Sequence, residues 1–337
     1  MGSVWTHSLR EEMTVRKLKF SLSRPELLLQ PQWSISPWAW MLYRLFMVLY
    51  TFAWCLYSAL LFSSPKWLLF LSHIVYCVMG MYYLLAFCNL AWAAIQVRTF
   101  YRSQRTANPE EGSRGYVARA GSVGPFPLPP LLSAALRLQW CLHNLVGSFS
   151  ITVTLLYWML VYPIERHPLS AFNINMHVGN SIQALLDLCL SSTPVHLAHY
   201  VHLFLAACLY ILFALLYWLS GGTNLSKKPY IYKVLDFGGC PLVAAFSVLG
   251  VVCICLPLSH FLVWNMCFLR RSIATGARGG SLGLFRERWW WKMGGAMGGS
   301  VSLTGIPASL FTPACSGTTQ PLLTPRNALQ GAISVYL

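Results

Sequence analysis

Six apolar stretches, at about 38 to 63, 67 to 97, 138 to 162, 170 to 191, 197 to 219 and 240 to 268, leave this chain few ways to fold. Each is long enough to cross roughly 30 Å of hydrocarbon at about 1.5 Å per residue. Backbone N–H and C=O groups in lipid must be satisfied within the segment, so stretches of this length read as helices. Composition agrees: 56% of the 337 residues are hydrophobic, only 10% are charged, and mean hydropathy is positive, which excludes an ordinary soluble domain. The expected fold is an all-α membrane protein, a six-transmembrane-helix bundle over residues 38–268. An N-terminal segment, 1–37, precedes it. A glycine-rich tail, 269–337, comes after it and is expected to be largely disordered, because it lacks a helical apolar period.

The basic residues orient the bundle. Arg10, Arg16, Lys17, Lys19 and Arg24 precede the first stretch, six arginines lie between Arg98 and Arg137, and seven basic residues lie from Arg270 onward. The opposite side carries only Lys66, Arg166, Lys227, Lys228 and Lys233. This bias places both termini in the cytoplasm. No apolar signal-peptide core precedes residue 38, so the first helix is expected to act as an uncleaved anchor, in the endoplasmic reticulum or the plasma membrane. The loop 98–137, with Pro109-Glu110-Glu111-Gly112 and several prolines from Pro125 to Pro130, is expected to be flexible. The net charge of +15 comes from the same asymmetry and reads as attraction to anionic lipid, not nucleic acid. The sequon Asn224-Leu225-Ser226 falls on the expected outer side. Most of the eleven cysteines lie in apolar stretches and read as small core residues, not a disulfide framework. Within the tail, Trp289-Trp290-Trp291 beside Arg288 and Lys292 has the composition of a headgroup anchor.

Polar residues inside these stretches carry the functional information, since ionisable groups at bilayer depth are costly. In the fourth stretch Asn173, His177, Asn180 and Asp187 recur at helical spacing and are expected on one stripe. Counting about 1.5 Å per residue places Ser72, His73 and His177 in an outer layer, about 10 Å below the helix ends. An inner layer holds Arg44, Asn89, His143, Asn144, Asp187, His199, His202, His260 and Asn265. In the outer layer a neutral imidazole at His177 could take the proton of the Ser72 hydroxyl and activate it toward an ester carbonyl, with Asn180 or Asn144 donating to the oxyanion and a backbone carbonyl or Asn173 holding the ring. The competing reading is that these groups hydrogen-bond between helices as packing contacts. In the inner layer Arg44 and Asp187 are expected to pair, each otherwise being a lone buried charge. The histidines have ligand types but not ligand spacing, so no metal and no cofactor is expected.

The residues Gly221-Gly222-Thr223-Asn224 and the run Lys228 to Phe237, together with Trp38 to Arg44, Lys66-Trp67, Leu71-Ser72-His73 and Asn175-Met176-His177, resemble the rolling stone-like membrane proteins. The resemblance covers about residues 30 to 270 and implies a six-helix membrane protein, in a family whose namesake is linked to muscle-cell fusion. More distantly, the chain is similar to the androgen-induced family of integral-membrane hydrolases, which cleave fatty acid esters of hydroxy fatty acids with a threonine and a histidine. That resemblance implies the histidine's role for His177 and the nucleophile's for Ser72, with serine in place of threonine; an alternative register places Leu69 there. It implies a lipid ester as substrate. Two further readings stay open: a non-catalytic membrane protein acting through partners in adhesion or fusion, and a transporter of a small solute. The protein partners are unknown from sequence.

Overall fold

The computed structural model describes residues 12, 14–107, 129–165 and 169–276, and these form a helical bundle whose one sheet-like contact is a single antiparallel bridge between Pro31 and Ser191. Six helices make the bundle: α1 (Pro37–Phe62), α2 (Leu71–Ala107), α3 (Pro130–Glu165), α4 (residues 171–190), α5 (Leu197–Leu219) and α6 (Pro241–Gly276). Their starts obey ordinary capping. Ser36 accepts the Ala39 N–H ahead of Pro37, Ser170 accepts the Asn173 N–H, and Pro130 and Pro241 open α3 and α6, where a missing N–H costs nothing. Residue 63 ends α1 in the left-handed region, with φ 45°.

Five of these helices (α1, α2 through Thr99, α3, α5 and α6) are long and apolar enough to cross a membrane. Their outward faces carry exposed apolar side chains, as in the stripe Leu42, Phe46, Leu49, Leu56 and Leu60 of α1. The fourth stretch is helical but is not among the five, because buried Asn175, His177, Asn180, Gln183 and Asp187 dilute its hydropathy. Its two ends nonetheless meet residues near the two ends of α1. Phe172 packs on Tyr57 and Phe62 near the end of α1, while Leu190 O accepts the N–H of Gln32 just before α1 begins.

Three helices carry a π-turn, in which one extra residue widens the ring of the backbone hydrogen bond: Tyr157–Val161 in α3, Asn175–Gly179 in α4 and Val251–Cys255 in α6. Two have an evident cause. Pro163 and Pro257 each stand two residues past a π-turn, and a proline removes one N–H and crowds the carbonyl four residues back. The third contains no proline; it ends on Gly179, where a Cβ would lie 2.6 Å from Asn175 Oδ1. Gly179→Ala is therefore expected to push the Asn175 side chain off its partners and cost about 1–3 kcal/mol, as overpacked cores do. Thermal unfolding in detergent measures it, and an unchanged midpoint would show that the turn tolerates a Cβ.

The described part of the N-terminal segment packs across one end of the bundle. Leu28 and Leu29 are buried against Trp40, Leu132 and Leu136, and their carbonyls accept from Gln139 Nε2 and Trp40 Nε1, both at 2.8 Å. Gln30 O accepts the N–H of Ser192, and Trp33 Nε1 donates to Cys189 O. Beyond them Glu12 binds His196 Nδ1 at 2.9 Å and the Leu197 N–H at 3.2 Å, with Lys17 3.6 Å away. Burial raises the Glu12 pKa, but His196 and Lys17 outweigh it and hold the carboxyl below its ordinary range. The opposite end is closed by the α5–α6 loop: Lys66 Nζ donates to Thr223 Oγ1, Tyr232 OH accepts the Leu71 N–H at 2.9 Å, and Glu165 accepts the Lys233 N–H. Burial pushes Tyr232 up to about 12.

α2 continues to Ala107, α3 begins at Pro130 and α6 reaches Gly276, so the described parts of the expected loop and tail are helical. Residues 108–128, where the flexible loop is expected, and the tail from 277, with Trp289 to Trp291, lie outside the described residues.

Candidate functional site

The polar side chains of α4 divide between two faces instead of sharing one stripe. A strict 3.6-residue period aligns 173, 177, 180 and 187, but the π-turn at 175–179 inserts a residue and rotates the remainder of the helix by about 100°. Asn175 and Gln183 face α1 and α2, His177, Asn180 and Ser181 face α3, and Asp187 reaches all three, with Arg44 of α1, Tyr82 of α2 and His143 of α3 around it.

The first face is a buried seam of tyrosines and amides. Asn175 accepts from Tyr50 OH at 2.7 Å and donates to Tyr76 OH at 3.0 Å; Gln183 Nε2 donates to the same Tyr76 oxygen, also at 3.0 Å. Thr51 Oγ1 lies 3.2 Å from Gln183 Oε1, and Tyr83 OH donates to Gln183 O. One turn on, Asp187 is 1% exposed and Arg44 2%, and their closest atoms are 2.5 Å apart. Tyr82 donates to Asp187 Oδ2 at 2.5 Å and Tyr43 to Oδ1 at 3.2 Å. Because the one Tyr82 proton goes to the carboxylate, its oxygen accepts from Arg44 Nη1 and from His143 Nδ1, which fixes the proton of that imidazole on Nδ1. The guanidinium also lies over the Trp40 ring, 4.4 Å from its centroid. A charge pair with this many donors is balanced in place, and Asp187 is committed to it, not to orienting His177.

The second face holds the histidine. His177 is buried within the π-turn of α4, and its ring lies flat on Tyr157 of the α3 π-turn, centroids 3.5 Å apart and planes within 2°. One turn on, Asn180 is fully buried; its Oδ1 accepts from Thr154 Oγ1 and from the Ser181 N–H, which leaves Nδ2 as a buried donor without a partner among the described residues. Ser72 is buried in the first turn of α2, beside the Leu71 N–H that Tyr232 accepts. Its neighbour His73 donates from Nδ1 to Trp67 O at 2.8 Å and sits among Phe62, Trp67, Phe70 and Phe172 as a packed aromatic. Asn173 is half-buried, and its backbone N–H bonds the Ser170 cap. Asn144 spends one donor on Trp140 O, one turn back in its own helix.

The inner histidines do not gather as metal donors: among the described residues no group of three or more His, Cys, Asp and Glu side chains is placed to hold an ion. His143 belongs to the Asp187 cluster. His260 Nδ1 accepts from Ser148 while its Nε2 bonds His196 O, and His199 packs between Phe20 and Trp140. Sequence reasoning missed Asn175, Gln183, Tyr76 and Tyr82. The amides of Asn175 and Gln183 were visible signals, since each interrupts an apolar run, whereas the tyrosines counted as apolar.

Apolar spanning helices around a buried seam of charge and amides define a polytopic α-helical membrane protein. Comparison carries this further: the family described as protein rolling stone matches residues 3–275. The chain belongs to that family. Protein rolling stone of Drosophila melanogaster is 27% identical over 150 residues, which cover 43% of this chain and 49% of the relative, so the match spans about half the relative's length. No solved structure matches.

Proposed function

We propose that the chain crosses the membrane six times with both termini in the cytoplasm, and that it hydrolyses lipid esters with Ser72 as nucleophile and His177 as general base. The sixth crossing is α4: its ends contact residues near both ends of α1, and its length of about 30 Å is that of a hydrocarbon core. In sealed microsomes, protease should remove tags from both termini and spare a tag between 224 and 228. Cleavage of the loop tag would reverse the orientation.

The observation that carries the catalytic reading is His177, a buried imidazole displayed by a π-turn, a distortion common at functional sites. Register supports the partner. Val75, one turn below Ser72, shares a packed cluster with Phe149 and Val153 of α3, and Tyr157, which carries the His177 ring, lies one turn above Val153. Tyr76, one turn from Ser72, bonds Asn175 of the same π-turn. In the reaction, the Ser72 oxygen adds to the ester carbonyl as His177 takes its proton, and Asn180 Nδ2 donates to the oxyanion. The alcohol leaves with the proton from His177, and water, activated by the same ring, releases the fatty acid. A fluorophosphonate probe should label the wild-type protein, with labelling lost in Ser72→Ala and in His177→Ala. Labelling that survives both changes would remove the hydrolase reading and leave a non-catalytic protein acting through partners in adhesion or fusion.

A further inference from the structure

Away from the α4 seam, two thiols meet across the α1–α2 contact. The two helices run antiparallel and are in contact at Gly80, where a Cβ would lie 3.6 Å from Thr51 and from the Phe52 ring. Cys77 is one turn before Gly80 and Cys55 one turn past Thr51, so the register that pairs 80 with 51 also sets 77 opposite 55. Counted from the joined ends of the two helices, Phe62 and Leu71, both cysteines lie at a depth of about 10 Å. The two side chains lie near enough to interact, and both are half-buried free thiols.

We propose that Cys55 and Cys77 are a membrane-embedded dithiol which lipid hydroperoxides oxidise to a disulfide, pinning α1 to α2. Depth selects the oxidant. Charged aqueous disulfides do not enter the acyl region, whereas a hydroperoxide on an oxidised acyl chain is formed there. One thiol sulfur attacks the terminal peroxide oxygen; the O–O bond breaks, the lipid leaves as its alcohol with the thiol proton, and the sulfur becomes a sulfenic acid. The second thiol then attacks that sulfur, an S–S bond forms, and water leaves, so one hydroperoxide is reduced per disulfide made. The bridge would form beside Thr51 and Tyr76, both of which contact Gln183, so oxidation would stiffen the seam on that side of α4. Nothing in this chemistry depends on Ser72 or His177.

The test uses the full chain in phospholipid nanodiscs with cumene hydroperoxide as the probe, and then N-ethylmaleimide, proteolysis and mass spectrometry. The expected result is a peptide linking Cys55 to Cys77, formed with loss of one hydroperoxide per link, absent from Cys55→Ser and from Cys77→Ser, and reversed by dithiothreitol. Two results would overturn the proposal. One is alkylation of both thiols at hydroperoxide concentrations that oxidise a free thiol in the same nanodiscs. The other is Cys77 passing to sulfinic acid while Cys55 remains alkylated.

Discussion

The substitution Asp187→Ala is expected to cost about 3–5 kcal/mol of stability, because it leaves the buried Arg44 charge beside the Tyr82 hydroxyl and the Trp40, Tyr43 and Tyr82 rings without its counter-ion. Arg44→Met should cost about as much, since Asp187 would keep the hydroxyls of Tyr43 and Tyr82 and the more distant imidazole of His143 but lose its compensating cation. The paired change Arg44→Met with Asp187→Leu should recover most of the loss, because apolar side chains of similar volume carry no desolvation penalty. What remains is the cost of leaving the Tyr82 hydroxyl, and the less buried Tyr43 hydroxyl, without their acceptor, about 1–3 kcal/mol for a buried donor. Thermal unfolding in detergent, monitored by tryptophan fluorescence, gives the comparison. A double variant no more stable than the worse single one would show that the pair is not a self-compensating unit.

Asn180→Ala is expected to lower lipid-ester turnover by about 10²–10³ with little change in KM, the signature of a donor that acts only on the developing oxyanion. Two donors already point at Asn180 Oδ1, from Thr154 and from the Ser181 backbone, so the amide is held with Nδ2 free to act. Thr154→Val removes one of these holding contacts and should give a smaller loss. If Asn180→Ala instead raises KM at constant kcat, the side chain binds ground-state substrate and the oxyanion role is lost.

The helices were legible because hydropathy and length are properties of the chain itself. α4 was readable as a helix from its apolar spacing even though the polar groups that matter most dilute it. The arrangement of those groups was not legible. Nothing in Asn175-Met176-His177-Val178-Gly179 announces an extra residue in the turn, so a regular period places Asp187 beneath His177, whereas the π-turn sends them to different neighbours. A glycine four residues after an asparagine is the one local mark, and it gains meaning only when the Asn175 side chain is seen lying across the turn. Tyr76 and Tyr82 were hidden for another reason: composition scores a tyrosine as apolar, yet in lipid its hydroxyl is one of the few inexpensive partners for a buried amide or carboxylate. The N-terminal segment read as a simple cytoplasmic extension on its charges, although Leu27-Leu28-Leu29 and Trp33 already signalled a surface to be buried.

That segment sets the order of events during synthesis. Gln30 leaves the ribosome 162 residues ahead of Ser192, whose hydroxyl and N–H its carbonyl accepts. At about 5–20 residues per second, the wait is on the order of ten seconds or more. Leu28 and Leu29 gain Trp40 first and Leu132 and Leu136 only when α3 is made, so the bilayer surface or a chaperone should shelter their apolar side until then, and truncation before α3 should leave a species that is captured instead of folded.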